Sequence, residues 1–162
     1  MVVRYTDLPF PSYAFVPGQK PHPRKHPQGH SHGTPEPSWT AFAPEDWEAS
    51  VGFLYGVDLF NAGYWWESHE QWEALWLAVG KTTTQGYFLR GLIQLAAAHL
   101  KHHVNNLRGA LRLYHRAQDN LSHAPSLYCG VCKDRLLQDS LMFLQGSQSK
   151  PTCLVLSKSE SS

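Results

Sequence analysis

With 162 residues the chain is long enough to bury one sizeable hydrophobic core and too short for two of ordinary size. A formal charge of +1 argues against a protein built chiefly to grip nucleic acid or an anionic membrane surface. No apolar run approaches the roughly 20 residues of a membrane span, the N-terminus lacks a signal-peptide core, and three cysteines make no disulfide framework, so a cytoplasmic protein is expected.

Residues 1–42 are dense in proline, which denies them regular helix. Tyr5, Leu8, Phe10, Tyr13, Phe15 and Val16 nevertheless offer apolar side chains, so an extended arm docked on a core is expected. His22, His26, His30 and His32 form a histidine-rich tract of a kind that can bind metal, although proline-separated loop histidines are commonly just solvated.

A helical core is expected over residues 43–123. Its first helix starts at Pro44, a good first-turn residue with Glu45 and Asp46 suited to the helix dipole, and runs to Phe60. Asn61-Ala62-Gly63 turns the chain back into a second helix, Tyr64 to Val79, between Gly63 and Gly80. At about 100° per residue, Trp65, His69, Trp72, Glu73, Trp76 and Val79 share one face of it, with Glu67, Glu70, Gln71, Ala74 and Ala78 opposite. A carboxylate buried unpaired costs several kcal/mol, on the order of the penalties that force such groups to neutralise, so His69 and Glu73 need partners. Either they bond each other in a polar core, or this i, i+4 pair chelates a divalent metal.

A third helix, Thr84 to Val104, puts Phe88, Leu92, Leu95, Ala96, His99 and His103 on one stripe, with Arg90, Gln94 and Lys101 on another. His99 and His103 make a second i, i+4 pair, and inward pairs on neighbouring helices are how metal sites in bundles are built. The alternative is a core His99 beside a half-exposed His103. A fourth helix, Leu107 to Ser122, turns Leu107, Ala110, Leu111, Tyr114, Ala117 and Leu121 inward. Its Arg108, Arg112 and Arg116 form a basic stripe, read as a solvated face or a phosphate contact. A weaker helix is expected within residues 124–146, and a disordered tail over 147–162, although Cys153-Leu154-Val155-Leu156 is a small apolar patch. Cys129-Gly130-Val131-Cys132 has zinc or redox spacing but no second half-site.

Asp58-Leu59-Phe60-Asn61-Ala62-Gly63-Tyr64, then Glu67-Ser68-His69-Glu70 and Glu73-Ala74-Leu75-Trp76, resembles the family catalogued as domain of unknown function 309. His69, Glu73 and Trp76 match its His-x-x-x-Glu-x-x-Trp pattern, and Gly91-Leu92-Ile93-Gln94 is similar to its second signature. Phe15-Val16-Pro17-Gly18, Pro21-His22-Pro23 and Gly29-His30-Ser31 resemble a leader that many members carry. The resemblance covers residues 51–118 and implies a helical bundle and a suspicion of metal binding, with no established activity.

The expectation is therefore an all-α bundle of four or five helices in antiparallel hairpins, crossed by a Pro/His-rich N-terminal arm. Its leading function is divalent metal binding, zinc by default, through His69 and Glu73, with His99 and His103 as further candidate ligands. Asp58, Asn61, Glu70, Trp76 and Gln94 are expected around them, Gln94 on the resemblance alone. The rival is a helical scaffold for a protein partner or a second copy. It rests on a likeness of Leu59-Phe60-Asn61-Ala62-Gly63-Tyr64 to tetratricopeptide units, although no 34-residue period follows. In that reading the His69/Glu73 pair is only structural.

Overall fold

A computed structural model of the chain describes residues 2–158. The first core helix starts later than Pro44 suggests. Pro44–Ala49 is a 3-10 helix interrupted at Asp46 (φ −99°, ψ 20°). Ser50 then accepts the Phe53 N–H and caps α1, Val51–Asn61. Gly63, at φ 83°, turns the chain into α2, Trp65–Val79, which ends at Gly80 with φ 97°. Thr83 caps α3, Thr84–His103, by accepting the Gly86 N–H. Asn106 caps α4, Leu107–Leu121, by accepting the Gly109 N–H.

These short turns stack the four helices as successive hairpins, each packed on the next. Phe53, Val57, Phe60, Trp72, Leu75, Phe88, Leu92, Leu95, Ala117 and Leu121 fill the space between them. The chain is an all-α bundle. Leu107, expected to turn inward, is half exposed because it is the first residue of α4, beyond the reach of α3's core stripe. No helix among the described residues is long and apolar enough to cross a membrane.

Between α4 and α5, Lys133–Leu144, lies a small hairpin: β1, Leu127–Tyr128, pairs antiparallel with β2, Val131–Cys132. Cys129 (φ 48°) and Gly130 (φ 77°) are its two turn residues, both left-handed, as a two-residue hairpin turn demands. The Cys-x-x-Cys spacing is thus a turn. Cys129 is buried, which pushes its thiol up to about 12, whereas Cys132 is exposed.

The arm is docked, and the core's polar side chains hold it. Asp58, fully buried in α1, accepts the N–H of Tyr5 (2.8 Å) and of Thr6 (2.9 Å), the Thr6 hydroxyl (2.7 Å) and Arg4 Nε (3.1 Å). Tyr55 and Tyr64 donate their hydroxyls to the carbonyls of Pro9 and Pro11. Arg24 pairs with Glu70 at 3.1 Å, and Trp39 Nε1 donates to Gln71 Oε1 at 2.7 Å. Two arm histidines serve as turn caps: His22 Nδ1 accepts the N–H of Arg24 and Lys25, and His26 Nδ1 that of Gln28.

The expected disordered tail is ordered over much of its length. Leu154 is buried, and Asn61 clamps its backbone in both directions, donating to Leu154 O (2.9 Å) and accepting Leu154 N–H (2.7 Å). Leu156 N–H donates to the Tyr5 hydroxyl and Ser157 N–H to Gly130 O. A side-chain amide at the C-terminal end of α1 thus supplies what a neighbouring strand would. Residues 159–162 of that expectation lie outside the described residues.

Candidate functional site

The buried face of α2 is rotated from the one the tryptophans suggest. Trp65, Ser68, Trp72 and Leu75 point to the core, and Ser68 is accommodated because its hydroxyl donates to Gly56 O at 2.8 Å. His69 and Glu73 fall on the flank, with side chains 30% and 47% exposed. The desolvation conflict expected for them is absent, because water reaches both groups.

Their geometry is nonetheless specific. His69 Nδ1 lies 3.0 Å from Trp66 O, and a carbonyl only accepts, so Nδ1 carries the hydrogen. Nε2 then faces Glu73 Oε2 at 3.0 Å. A neutral ring with that tautomer presents a lone pair there, to a carboxylate that is also an acceptor. A proton on either group, or a metal ion held by both, would complete the contact. Beside it runs an open groove of about 260 Å³ between α2 and α3, lined by Glu73, Trp76, Arg90, Ile93 and Gln94. Lys81 Nζ and Arg90 Cζ sit 5.0 and 5.9 Å from the Trp76 ring centroid, within cation–π range. Trp76 Nε1 is buried without a hydrogen-bond acceptor. Gln94 Oε1 accepts from Asn120 at 2.7 Å.

His99 and His103 do not join this pair. His99 is fully buried, donating Nδ1–H to Leu95 O (2.7 Å) and accepting the Thr152 hydroxyl at Nε2 (2.8 Å), so both ring nitrogens are used. His103 is exposed against the Trp65 ring. Asp58 and Asn61 hold the arm and the tail, and Glu70 holds Arg24; only Trp76 and Gln94 of the residues expected around the pair line its groove. Among the described residues no three His, Cys, Asp or Glu side chains converge as a metal-holding group. The donor set fits a metal as far as His69 and Glu73 go: one imidazole nitrogen and one carboxylate oxygen, mutually in reach and open to solvent.

A second polar centre lies on the opposite flank of α2, under the arm. Glu67, side chain 4% exposed, accepts the Phe15 N–H (3.0 Å) and contacts His30 Nε2 (2.7 Å) through Oε2, while Oε1 is buried without a donor. His30, equally buried, continues through Nδ1 to Ser31 Oγ at 2.7 Å. The Tyr13 ring lies tilted against it, 4.7 Å between centroids, and its hydroxyl accepts the His30 backbone N–H. Sequence reasoning assigned Glu67 to solvent and His30 to a loop. The one usable signal was Gly29-His30-Ser31, a basic ring beside a hydroxyl in an arm apolar enough to dock.

The family model described as Domain of unknown function (DUF309) matches residues 53–113. Over that segment the chain is similar to DUF309. The DUF309 segment runs from the first turn of α1 into the middle of α4 and contains His69, Glu73, Trp76 and Gln94. The arm, the hairpin and α5 lie outside it. No curated protein matches the chain.

Proposed function

We propose that the DUF309 segment is a divalent-cation-binding module, with His69 Nε2 and Glu73 Oε2 as its two protein ligands. The observation that supports it is the pair of acceptors facing each other at 3.0 Å, with the His69 tautomer set by the Trp66 carbonyl. Zinc suits an imidazole-plus-carboxylate donor set, as do other first-row ions. Two protein ligands leave the remaining positions to water or a ligand, so the site is exchangeable, and a bound ion supplies Lewis acidity there. Glu73 belongs to both the pair and the groove; Arg90 and the Gln94 amide on the far wall favour an anionic ligand, such as a carboxylate.

Titration of the metal-free protein with Zn²⁺ or Co²⁺ is expected to saturate near one ion per chain. Metal at about 100 times Kd adds about 2.7 kcal/mol of stability, read as a rise in Tm of several degrees. The His69→Ala, Glu73→Ala double variant should lose both effects while keeping the metal-free Tm. A double variant that binds metal as the wild type does, or a wild type that binds none, overturns the reading. In the second case the helical-scaffold reading stands. It is supported by the exposure of Arg108, Arg112 and Arg116 along α4, and predicts a partner lost on Arg112→Glu and retained in His69→Ala.

A further inference from the structure

We propose that Ser31 is a base-activated nucleophile that accepts acyl groups from small activated esters, with His30 as its general base and Glu67 as the residue that positions that base. The inference is independent of any metal at His69 and Glu73.

Hydrogen-bond bookkeeping sets the direction of the relay. The carboxylate of Glu67 only accepts, so the 2.7 Å contact places a hydrogen on His30 Nε2. In the neutral form of the ring the lone pair is then at Nδ1, where the Ser31 hydroxyl, 2.7 Å away, donates to it. Nucleophile to base and base to carboxylate are both at hydrogen-bond distance, the arrangement that activates a serine. His30 takes it up through the opposite ring nitrogens from those most often used.

Three features hold the relay ready. The Glu67 and His30 side chains are each 4% exposed, so the charge that would stabilise an imidazolium is little screened. Glu67 Oε1 has no donor of its own, which leaves the carboxylate's charge undivided for His30 and the Phe15 N–H. The Ser31 backbone is fixed at both ends: its N–H donates to Pro23 O at 2.9 Å, and its carbonyl accepts Thr34 N–H at 3.1 Å and the Thr34 hydroxyl at 2.6 Å. Ser31 is itself partly exposed, and His32, Gly33 and Thr34 beside it are exposed, so the residue borders solvent. In the step itself, Ser31 Oγ attacks the ester carbonyl carbon as its proton passes to His30 Nδ1. The tetrahedral adduct then expels the alkoxide or phenoxide, which takes that proton, leaving Ser31 as an ester and a free alcohol or phenol.

The test uses the full chain and p-nitrophenyl acetate, following nitrophenolate release and locating the acetyl group by peptide mass. The expected result is a burst of about one equivalent with the acetyl on Ser31. Ser31→Ala, which removes only the hydroxyl, should abolish the burst at unchanged Tm. His30→Ala should slow it by about a hundredfold or more, with free imidazole restoring part of the rate. Glu67→Gln keeps an acceptor for Nε2–H but no charge, and should slow acylation without lowering the final amount on Ser31. Acetyl found elsewhere with Ser31 unmodified, or Ser31 acetylated as fast in His30→Ala without imidazole, overturns the proposal.

Discussion

Replacing Gly56 by alanine is expected to destabilise the fold by about 3–5 kcal/mol, the overpacking and lost-hydrogen-bond costs combined. Gly56 lies in α1 where the Trp72 indole of α2 presses against the helix backbone. A Cβ built there would stand 2.5 Å from Trp72 Cδ1 and 2.8 Å from Cε2, and closer still to Nε1. The indole cannot retreat, because Trp72 is fully buried, packs on Phe60, and donates Nε1–H to Phe53 O at 3.3 Å. Gly56 O also takes the Ser68 hydroxyl, so moving α1 outward breaks a second buried bond. Urea denaturation monitored by tryptophan fluorescence would report the change. A loss below about 1 kcal/mol would mean that the two helices are not held at this spacing. Gly63→Ala is the contrasting case: nothing lies near its Cβ, and only the left-handed φ of 83° opposes it, for about 1 kcal/mol.

That contrast marks what the amino-acid sequence discloses and what it hides. The boundaries of α2, α3 and α4, though not the start of α1, were legible because their punctuation is local: Gly63, Gly80, Thr83 and Asn106 each act on residues within a turn of themselves. The phase of α2 was not, because three tryptophans outweighed Ser68 and Leu75 in setting the apparent apolar face. Trp76 is in fact only partly buried, carrying Lys81 and Arg90 over its ring, and tryptophan bulk does not mark the core side of a helix. The rotation moved His69 and Glu73 to the flank and left Glu67 beneath the arm. Nothing local predicts that burial, since its partners Phe15 and His30 are 52 and 37 residues away in the chain. Asp58, Asn61 and His99 mislead in the same manner. Each is a polar residue in or beside the helical core, and each serves a distant stretch of arm or tail.

The largest pH effect on stability is expected at His99. Burial lowers its pKa to about 4 from an ordinary 6.5, helped by the nearby His102 and opposed by the bond to Leu95 O. Phe60, Trp65 and Phe143 pack around the ring, with Phe143 stacked at 5.5 Å between centroids, so no water solvates an added proton. Because the folded pKa lies below the unfolded one, the unfolded chain binds the proton first as the pH falls. Stability therefore drops from pH 6.5 downward, and the loss is complete near pH 4. The interval corresponds to about 3 kcal/mol, at roughly 1.4 kcal/mol per pH unit. Protonation would also convert Nε2 from acceptor to donor. The Thr152 hydroxyl would then have to turn, and the tail's hold on α3 would weaken as the fold does. His99→Phe removes the titrating group and keeps the apolar packing, at the expense of the Thr152 bond. Its absolute stability shifts, but the slope of unfolding free energy against pH between 6.5 and 4 should flatten by His99's share. Titrating groups that do not face His99 contribute equally to both chains and cancel in the comparison; His102, which does, is counted in His99's share. An unchanged slope in the variant would show that the ring is solvated in the native protein, and that the tail does not seal it.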